Sequence, residues 1–337
     1  MPPKSPVASP KRAADPFPDT LSPQLATLVS KPPDRGDWVY EIKLDGYRIL
    51  ARCEAGKVRL FTRNSNDWTA KMASLAHEVA TLPVETAWLD GEVVVLGEGG
   101  IPDFNALQNA FDKRGTDAIT YFIFDVLYLN GKDLRGLEFR QRRELLEALF
   151  AGQDQERVRL AQTFPADGAS VLRSACRMGL EGVIAKKVNA PYRSARSDAW
   201  LKVKCELRQE FVIGGFVTRT GSTGEIGSLL LGVYDDEGRL RSVGSVGTGW
   251  DSAAAVAMYK TLTALEVPTF AFDREFTPTK GRWSRRPAGG ERWVQPVTVV
   301  EVSFTEWTPD GHIRHPKFHG IRYDKPVESI RRESAEH

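Results

Sequence analysis

Five short segments of this chain carry their chemistry on alternate residues: YEIKLDGYR from 40, LDGEVVV from 89, YFIFDVLYL from 121, EGVIAKK from 181 and WLKVKC from 200. Alternate side chains of an extended strand share a face. In the first segment Tyr40, Ile42 and Leu44 then face a core, while Glu41, Lys43 and Asp45 face the other way, with Gly46 and Arg48 just beyond. The second puts Asp90 and Glu92 on one face with Gly91 between them. The third puts Phe122, Phe124 and Val126 together, and the fourth begins with Glu181. The fifth separates Lys202 and Lys204 from Leu201, Val203 and Cys205. A lysine between two carboxylates also describes a solvated strand edge, and KLDG alone decides nothing. Lysines, carboxylates and an aromatic ring on five strands are hard to explain as solvated edges.

The 337 residues suggest about two domains, and 41% hydrophobic with 27% charged residues is ordinary globular composition. The net charge of +2 excludes a histone-like basic protein but not a basic groove. Cys53, Cys176 and Cys205 lie far apart and form no CxxC pair, so a four-cysteine zinc site is excluded; a sparse, odd count suits a reducing compartment. No apolar run is long enough to span a membrane, and no apolar signal segment is present. Residues 1–22, rich in Pro, Ser and Ala, read as a flexible arm or linker. From 23 to 206 strands mix with helices expected over 69–82, 137–150 and 170–178, which implies α+β with antiparallel sheets. From 207 to 330 short strands dominate, with a hairpin turn at DDEG and one helix over 251–265; this suits a small OB-type β-barrel. Residues 331–337 form a tail.

The motifs resemble those of the covalent nucleotidyltransferases and, within them, the ATP-dependent DNA ligases. KLDG at 43–46, LDGE at 89–92, FIFDVLYLNG at 122–131, EGVIAK at 181–186 and WLKVK at 200–204 are similar to five motifs of that family. RHPKFHGIRYDKP at 314–326 is similar to its C-terminal motif. The finer likeness is to the ligase domain of bacterial ligase D, an end-joining enzyme. The resemblance implies an ATP-grasp-like nucleotidyltransferase domain followed by an OB-fold, and a ligase that seals 5′-phosphate/3′-hydroxyl nicks or ends through lysyl-AMP. It implies Lys43 as the nucleophile, with Asp45 beside it in the catalytic motif. Glu41 would read the adenine amino group, Phe124 stack on the base, and Glu92 meet the ribose. Arg48, Lys202 and Lys204 would hold phosphates, and Arg322, Asp324 and Lys325 would orient the departing pyrophosphate. Arg63 would grip the 5′-phosphate of the nick. Glu92 and Glu181 are hard oxygen donors suited to Mg²⁺ or Mn²⁺. The implied partners are nicked or broken duplex DNA, an end-binding protein such as Ku, and polymerase or nuclease domains. A monomer in the bacterial cytosol or nucleoid is expected.

Lys43 must attack as a neutral amine, against an ordinary lysine pKa of about 10.4. Lys202, Lys204 and a metal ion are expected to disfavour its charged form. There is no GxxxxGK[ST], so an ATP user here is not a P-loop enzyme. An RNA ligase or capping guanylyltransferase shares the KxDG lysine, and an OB-barrel alone would serve a non-catalytic nucleic-acid binder. Other features have plainer readings. The histidines of HIRHPKFH at 312–319 are interrupted by Pro316. Arg63 could pair with Asp67, and the basic cluster KGRWSRR at 280–286 could touch DNA or simply be solvated. Arg140, Arg142 and Arg143 read as the exposed face of a helix.

Overall fold

The computed structural model describes residues 14–112, 115–273 and 290–333. The first half of the chain builds two sheets. In one, the strands run in the order Leu25–Leu28, Arg196–Lys204, Gly182–Lys187, Trp38–Ile42 and Thr163–Phe164. In the other the order is Lys57–Thr62, Tyr47–Glu54, Thr86–Val95, Ile119–Leu129 and Lys132–Asp133. The expected antiparallel pairing holds for most neighbours. Two pairs are parallel: Leu25–Leu28 on Arg196–Lys204, and Val158–Leu160 on Ile119–Leu129. Both are long-range pairs that close the sheets, which local patterning does not reveal.

The two sheets face each other across Leu50, Trp88, Phe124, Leu127 and Trp200. Behind the first sheet, Tyr40, Val183, Ala185 and Val203 pack on Ala175 of the Gly168–Arg177 helix. Behind the second lies a larger core that holds Met72, Leu75, Leu107 and Leu146 from the helical segments. The periodicity expected of 69–82 appears as a 3₁₀ turn, Thr69–Met72, followed by a short helix, Ala73–Val79. Chain passage between the sheets requires Gly46: a Cβ there would lie 2.1 Å from the Val93 carbonyl oxygen.

The alternation expected for the third segment breaks. Leu89 pairs with Val126, Asp90 with Asp125, and Gly91 with Ile123, so Phe124 and Leu127 are unopposed extra residues. Such bulges re-aim side chains. Phe124 and Leu127 therefore join the inter-sheet core, while Val126 turns to the opposite core instead of sharing a face with Phe124.

From 207 on, one sheet runs Leu240–Val246, Ile226–Tyr234, Leu207–Thr218, Val299–Phe304, Lys317–Arg322, with Glu291–Trp293 also on the long Leu207–Thr218 strand. The Ser252–Thr263 helix packs on it, and the expected hairpin joins Tyr234 to Leu240.

Three expectations change. Residues 14–22 are not a free arm: Phe17 stacks on Tyr128 at 4.8 Å, and the indole of Trp88 donates to the Pro18 carbonyl at 2.9 Å. Their few apolar side chains and carbonyls find partners on the second sheet. Cys176 and Cys205 form a disulfide, with Cα atoms 5.3 Å apart, because the end of the Gly168–Arg177 helix lies beside the end of the Arg196–Lys204 strand. Arg142 is not on an exposed face. It is fully buried and forks onto Asp125, which is equally buried, at 2.8 and 2.9 Å. The guanidinium also donates to the Leu137 and Ala190 carbonyls. Arg140 is exposed as expected. The 280–286 cluster lies outside the described residues. Among the described residues no helix is long and apolar enough to cross a membrane.

Candidate active site

Every candidate residue of the motif analysis lines one cavity of about 450 Å³. Glu41, Lys43, Glu181, Lys202 and Lys204 come from the first sheet. Arg48, Arg63, Glu92 and Phe124 come from or border the second, and Arg322, Asp324 and Lys325 reach in from the C-terminal unit. Register explains the first wall. Glu41 pairs with Ile184, Ile184 with Lys202, and Gly182 with Lys204, while the Lys43 amide donates to the Gly182 carbonyl at 2.9 Å. The expected alternation thus holds: Leu201 and Val203 face the helix and the two lysines face the cavity.

At one end of the cavity, Glu41 is buried and pairs with Lys186 at 2.8 Å. Its other oxygen, Oε1, is buried with no hydrogen-bond partner among the described residues. Burial raises the Glu41 carboxyl and Lys186 opposes the rise. The Lys186 ammonium sits 4.3 Å from the ring centres of both Phe124 and Trp200. Arg48 is already forked on Asp90 at 2.5 and 2.6 Å, over the Phe124 ring at 4.6 Å. Tyr192 completes that pair by donating to Asp90 at 2.7 Å.

Around Lys43 the structure reverses one expectation. Lys43 Nζ donates to Glu181, and the lysine pKa is raised rather than depressed. Burial alone would lower it, but Glu181, Glu301 and Asp45 outweigh burial. The same contact holds Glu181 down at about 2, against a burial effect that would raise it, with Arg208 and Lys204 adding to the pull of Lys43. Proximity to carboxylates therefore exceeds the repulsion of the neighbouring lysines that the sequence pattern emphasised. The lysine repulsion falls instead on Lys202, lowered to about 8 by burial and then by Lys204. Burial raises Glu92 to about 7 against the pull of Arg48 and Lys43. Burial also raises Asp45 to about 6, Glu301 adding to the rise and Arg208 opposing it.

The C-terminal unit is closed onto this cavity. Arg322 forks onto Asp324 at 2.9 Å, pairs with Glu301 at 2.9 Å, and donates to the Gly46 carbonyl at 3.2 Å. Its guanidinium lies over Phe104 at 4.6 Å. Arg208 bridges Asp45 at 2.8 Å and Glu301 at 2.7 Å. Lys325 pairs with Glu210 at 2.8 Å. Arg63 does not pair with Asp67, which Arg59 holds at 2.9 Å; it lines the cavity, where burial lowers its pKa. His312 bonds Asp310 and His319 bonds Ser303, and the described residues contain no cage of three or more His, Cys, Asp or Glu side chains.

Sequence reasoning missed Lys186, Trp200, Glu301 and Glu333, which line the cavity, and Arg208, which pairs with Asp45 and Glu301 of its lining. Lys186 was within reach, because it shares a strand face with Ile184 in EGVIAKK. Arg208, Glu301 and Glu333 belong to segments whose pattern reads only as barrel and tail.

Two family models match the chain: the ATP dependent DNA ligase domain over residues 23–204 and the ATP dependent DNA ligase C terminal region over 222–325. The multifunctional non-homologous end joining protein LigD of Pseudomonas aeruginosa is 44% identical over 97% of this chain and 39% of its own length. Its counterpart from Mycobacterium tuberculosis is 36% identical over 94% of this chain and 40% of its own length. The chain therefore spans about two fifths of the length of these two relatives. The structure titled mycobacterial DNA ligase D complexed with ATP and MES overlays with a TM-score of 0.68, at 35% identity, covering 93% of this chain and 98% of that one. The architecture is thus a nucleotidyltransferase domain followed by an OB-fold, and the chain belongs to the ATP-dependent DNA ligases.

Proposed function

We propose that this chain seals 5′-phosphate/3′-hydroxyl nicks or ends in duplex DNA through an AMP carried on Lys43, in end-joining repair. The observation that carries the reading is the single cavity into which three separate sheets send side chains: Lys43, Glu181, Lys202 and Lys204 from the first, Glu92 from the second and Arg322 from the C-terminal one. Lys43 attacks the α-phosphorus of ATP, forming a P–N bond as pyrophosphate leaves. AMP then passes to a 5′-phosphate, and a 3′-hydroxyl displaces it. Lys43 becomes nucleophilic only when Glu181 is drawn away and its proton is lost. Lys202 and Lys204 stabilise charge on the phosphates. Arg48, committed to Asp90, buttresses the base-binding end beside Phe124. Glu92 and Glu181 would hold Mg²⁺ or Mn²⁺, an ion that commonly keeps few protein ligands and shares the nucleotide's phosphates. Bound there, it would neutralise phosphate charge.

The unpartnered Glu41 oxygen favours adenine over guanine. Adenine offers an amino donor where guanine presents a carbonyl, and two facing acceptors in a buried site are costly. This speaks against a capping guanylyltransferase. We place the domain limits at 23–206 and 207–330. An end-binding protein such as Ku, polymerase or nuclease domains, and a monomeric existence in the bacterial cytosol or nucleoid complete the reading. The test is incubation with α-labelled ATP or GTP, then with a nicked duplex. ATP should label the protein and the nick should close, and Lys43→Ala should lose both while remaining folded. Label on a folded Lys43→Ala protein, or preference for GTP, would sink it.

A further inference from the structure

Lys202 and Lys204 already hold an anion supplied by the chain itself. Glu333 reaches them from beyond the barrel, with one carboxylate oxygen 2.7 Å from Lys202 and the other 3.0 Å from Lys204. The segment that delivers it is anchored. Ile330 is buried in the barrel core, and its carbonyl accepts from the Tyr234 amide at 2.8 Å. The buried Gln209 clamps the next residues, accepting from the Glu333 amide at 3.0 Å and donating to the Arg331 carbonyl at 3.3 Å. Glu333 also lines the same cavity as Lys43. None of the motifs contains it.

We propose that Glu333 is an internal occupant of the triphosphate site, holding Lys202 and Lys204 until ATP displaces it and returning to them after pyrophosphate leaves. This rests on the ligase reading above. A carboxylate and a phosphate offer these lysines the same chemistry, two anionic oxygens, but a triphosphate brings more charge and more acceptors. Glu333 remains anionic at neutral pH: burial would raise it, yet Lys204 and Lys202 hold it at about 2. A site that its own occupant fills nine-tenths of the time binds ligand about tenfold more weakly. The same competition opposes reversal. In reversal a pyrophosphate oxygen attacks the phosphorus of Lys43–AMP, the P–N bond breaks, ATP departs and the lysine nitrogen takes up a proton. Glu333 on the lysines excludes the attacking pyrophosphate.

The experiment measures Lys43 labelling against ATP concentration, and loss of label from adenylated protein against pyrophosphate concentration. Glu333→Gln should lower both half-saturating concentrations by about tenfold. The maximal labelling rate should stay within about twofold, because the interaction is lost from the starting state and not from the transition state. Glu333→Asp, which keeps the charge, should stay near wild type. Gln209→Met, which removes the clamp but leaves Glu333 in place, should shift both values in the same direction by less. Unchanged half-saturation in Glu333→Gln overturns the proposal. So does a higher half-saturation with a lower maximal rate, which would make Glu333 a positioning residue for the two lysines. No label on wild type or variant overturns the ligase reading itself, whereas label with unaltered concentration dependence removes only the role of Glu333.

Discussion

The first half of the chain buries charge in two places, in opposite styles. Around Arg142 the network is complete: both carboxylate oxygens of Asp125 are forked, and two backbone carbonyls take further donors. Around Lys43 it is incomplete or borrowed. Glu41 has an oxygen with no partner among the described residues, Lys43 leans on a proposed metal ligand, and Lys202 and Lys204 rely on a tail from another domain. Both places hold charges in low-dielectric surroundings, where isolation is expensive. A finished network serves the scaffold. An unfinished one holds room for a ligand that finishes it, and that distinguishes site from framework better than burial does.

The strongest test of this contrast is Arg142→Met. Removing one partner of a buried pair should cost about 3–5 kcal/mol of stability, read by denaturant unfolding. Adding Asp125→Leu should recover much of the loss. Protein that remains folded should still label with ATP at a near wild-type rate. Loss of labelling without loss of stability would move Arg142 into the chemistry and dissolve the distinction.

The second test concerns the network that spans the two domains. Arg322 is held inside the barrel by Asp324 and Glu301, and its bond to the Gly46 carbonyl exists only while the barrel is closed. Asp324→Ala and Lys325→Ala should slow Lys43 adenylation by about a hundredfold, the scale of misplaced reacting groups. They should seal a nick that already carries 5′-adenylate at close to wild-type rate, because no pyrophosphate then remains to be aligned. Lys202→Ala should impair both reactions. Equal losses in the two assays for the Asp324 and Lys325 variants would show that the barrel also acts in the later chemistry.

A smaller effect is expected at Arg63. Arg63→Ala should weaken use of the 5′-phosphate by about tenfold, one charge-assisted contact, and leave adenylation less affected. DNA binding should fall steeply with salt, since it must come from a local basic surface. Comparable losses in adenylation and sealing would assign Arg63 a structural role.

The smallest effect sharpens the comparison through pH. Burial raises Glu92 from the ordinary glutamate range to about 7. The folded state thus binds a proton more tightly than the unfolded state does. Ionising Glu92 therefore costs stability as pH rises from about 4.5 through about 7. Glu92→Gln should melt about 2–4 °C above wild type at pH 8. The gap should close as pH falls below 5, and labelling should be lost. A variant that is less stable than wild type at pH 8 would mean that Glu92 belongs to the scaffold.

Much of the cavity was legible in one dimension. Period-two alternation put Glu41 with Lys43 and Lys202 with Lys204 correctly, because strand geometry is local and each apolar face had a core to meet. Alternation failed where the sheet was irregular: the two bulges that turn Val126 away from Phe124 depend on what the neighbouring strand opposes. Helix patterning failed at Arg142 because a charged side chain looks the same in sequence whether water or Asp125 receives it. The sign of the Lys43 shift was out of reach for a related reason. Sequence names the cations and anions around a lysine, but electrostatic energy depends on distance and burial, and Glu181 is the group in contact.

That six motifs would line a nucleotide pocket was implied by the family resemblance; residue order and spacing alone determined the polar strand faces and the β-rich unit that follows. Those features rest on strand periodicity and turn chemistry, which each segment carries within itself. The docking of Arg322 on Gly46, the Arg208 bridge from Asp45 to Glu301 and the seat of Glu333 on two lysines belong to the tertiary structure alone. Each joins residues far apart in the sequence. Each contact exists because packing two domains face to face removes water from charges that must then find one another.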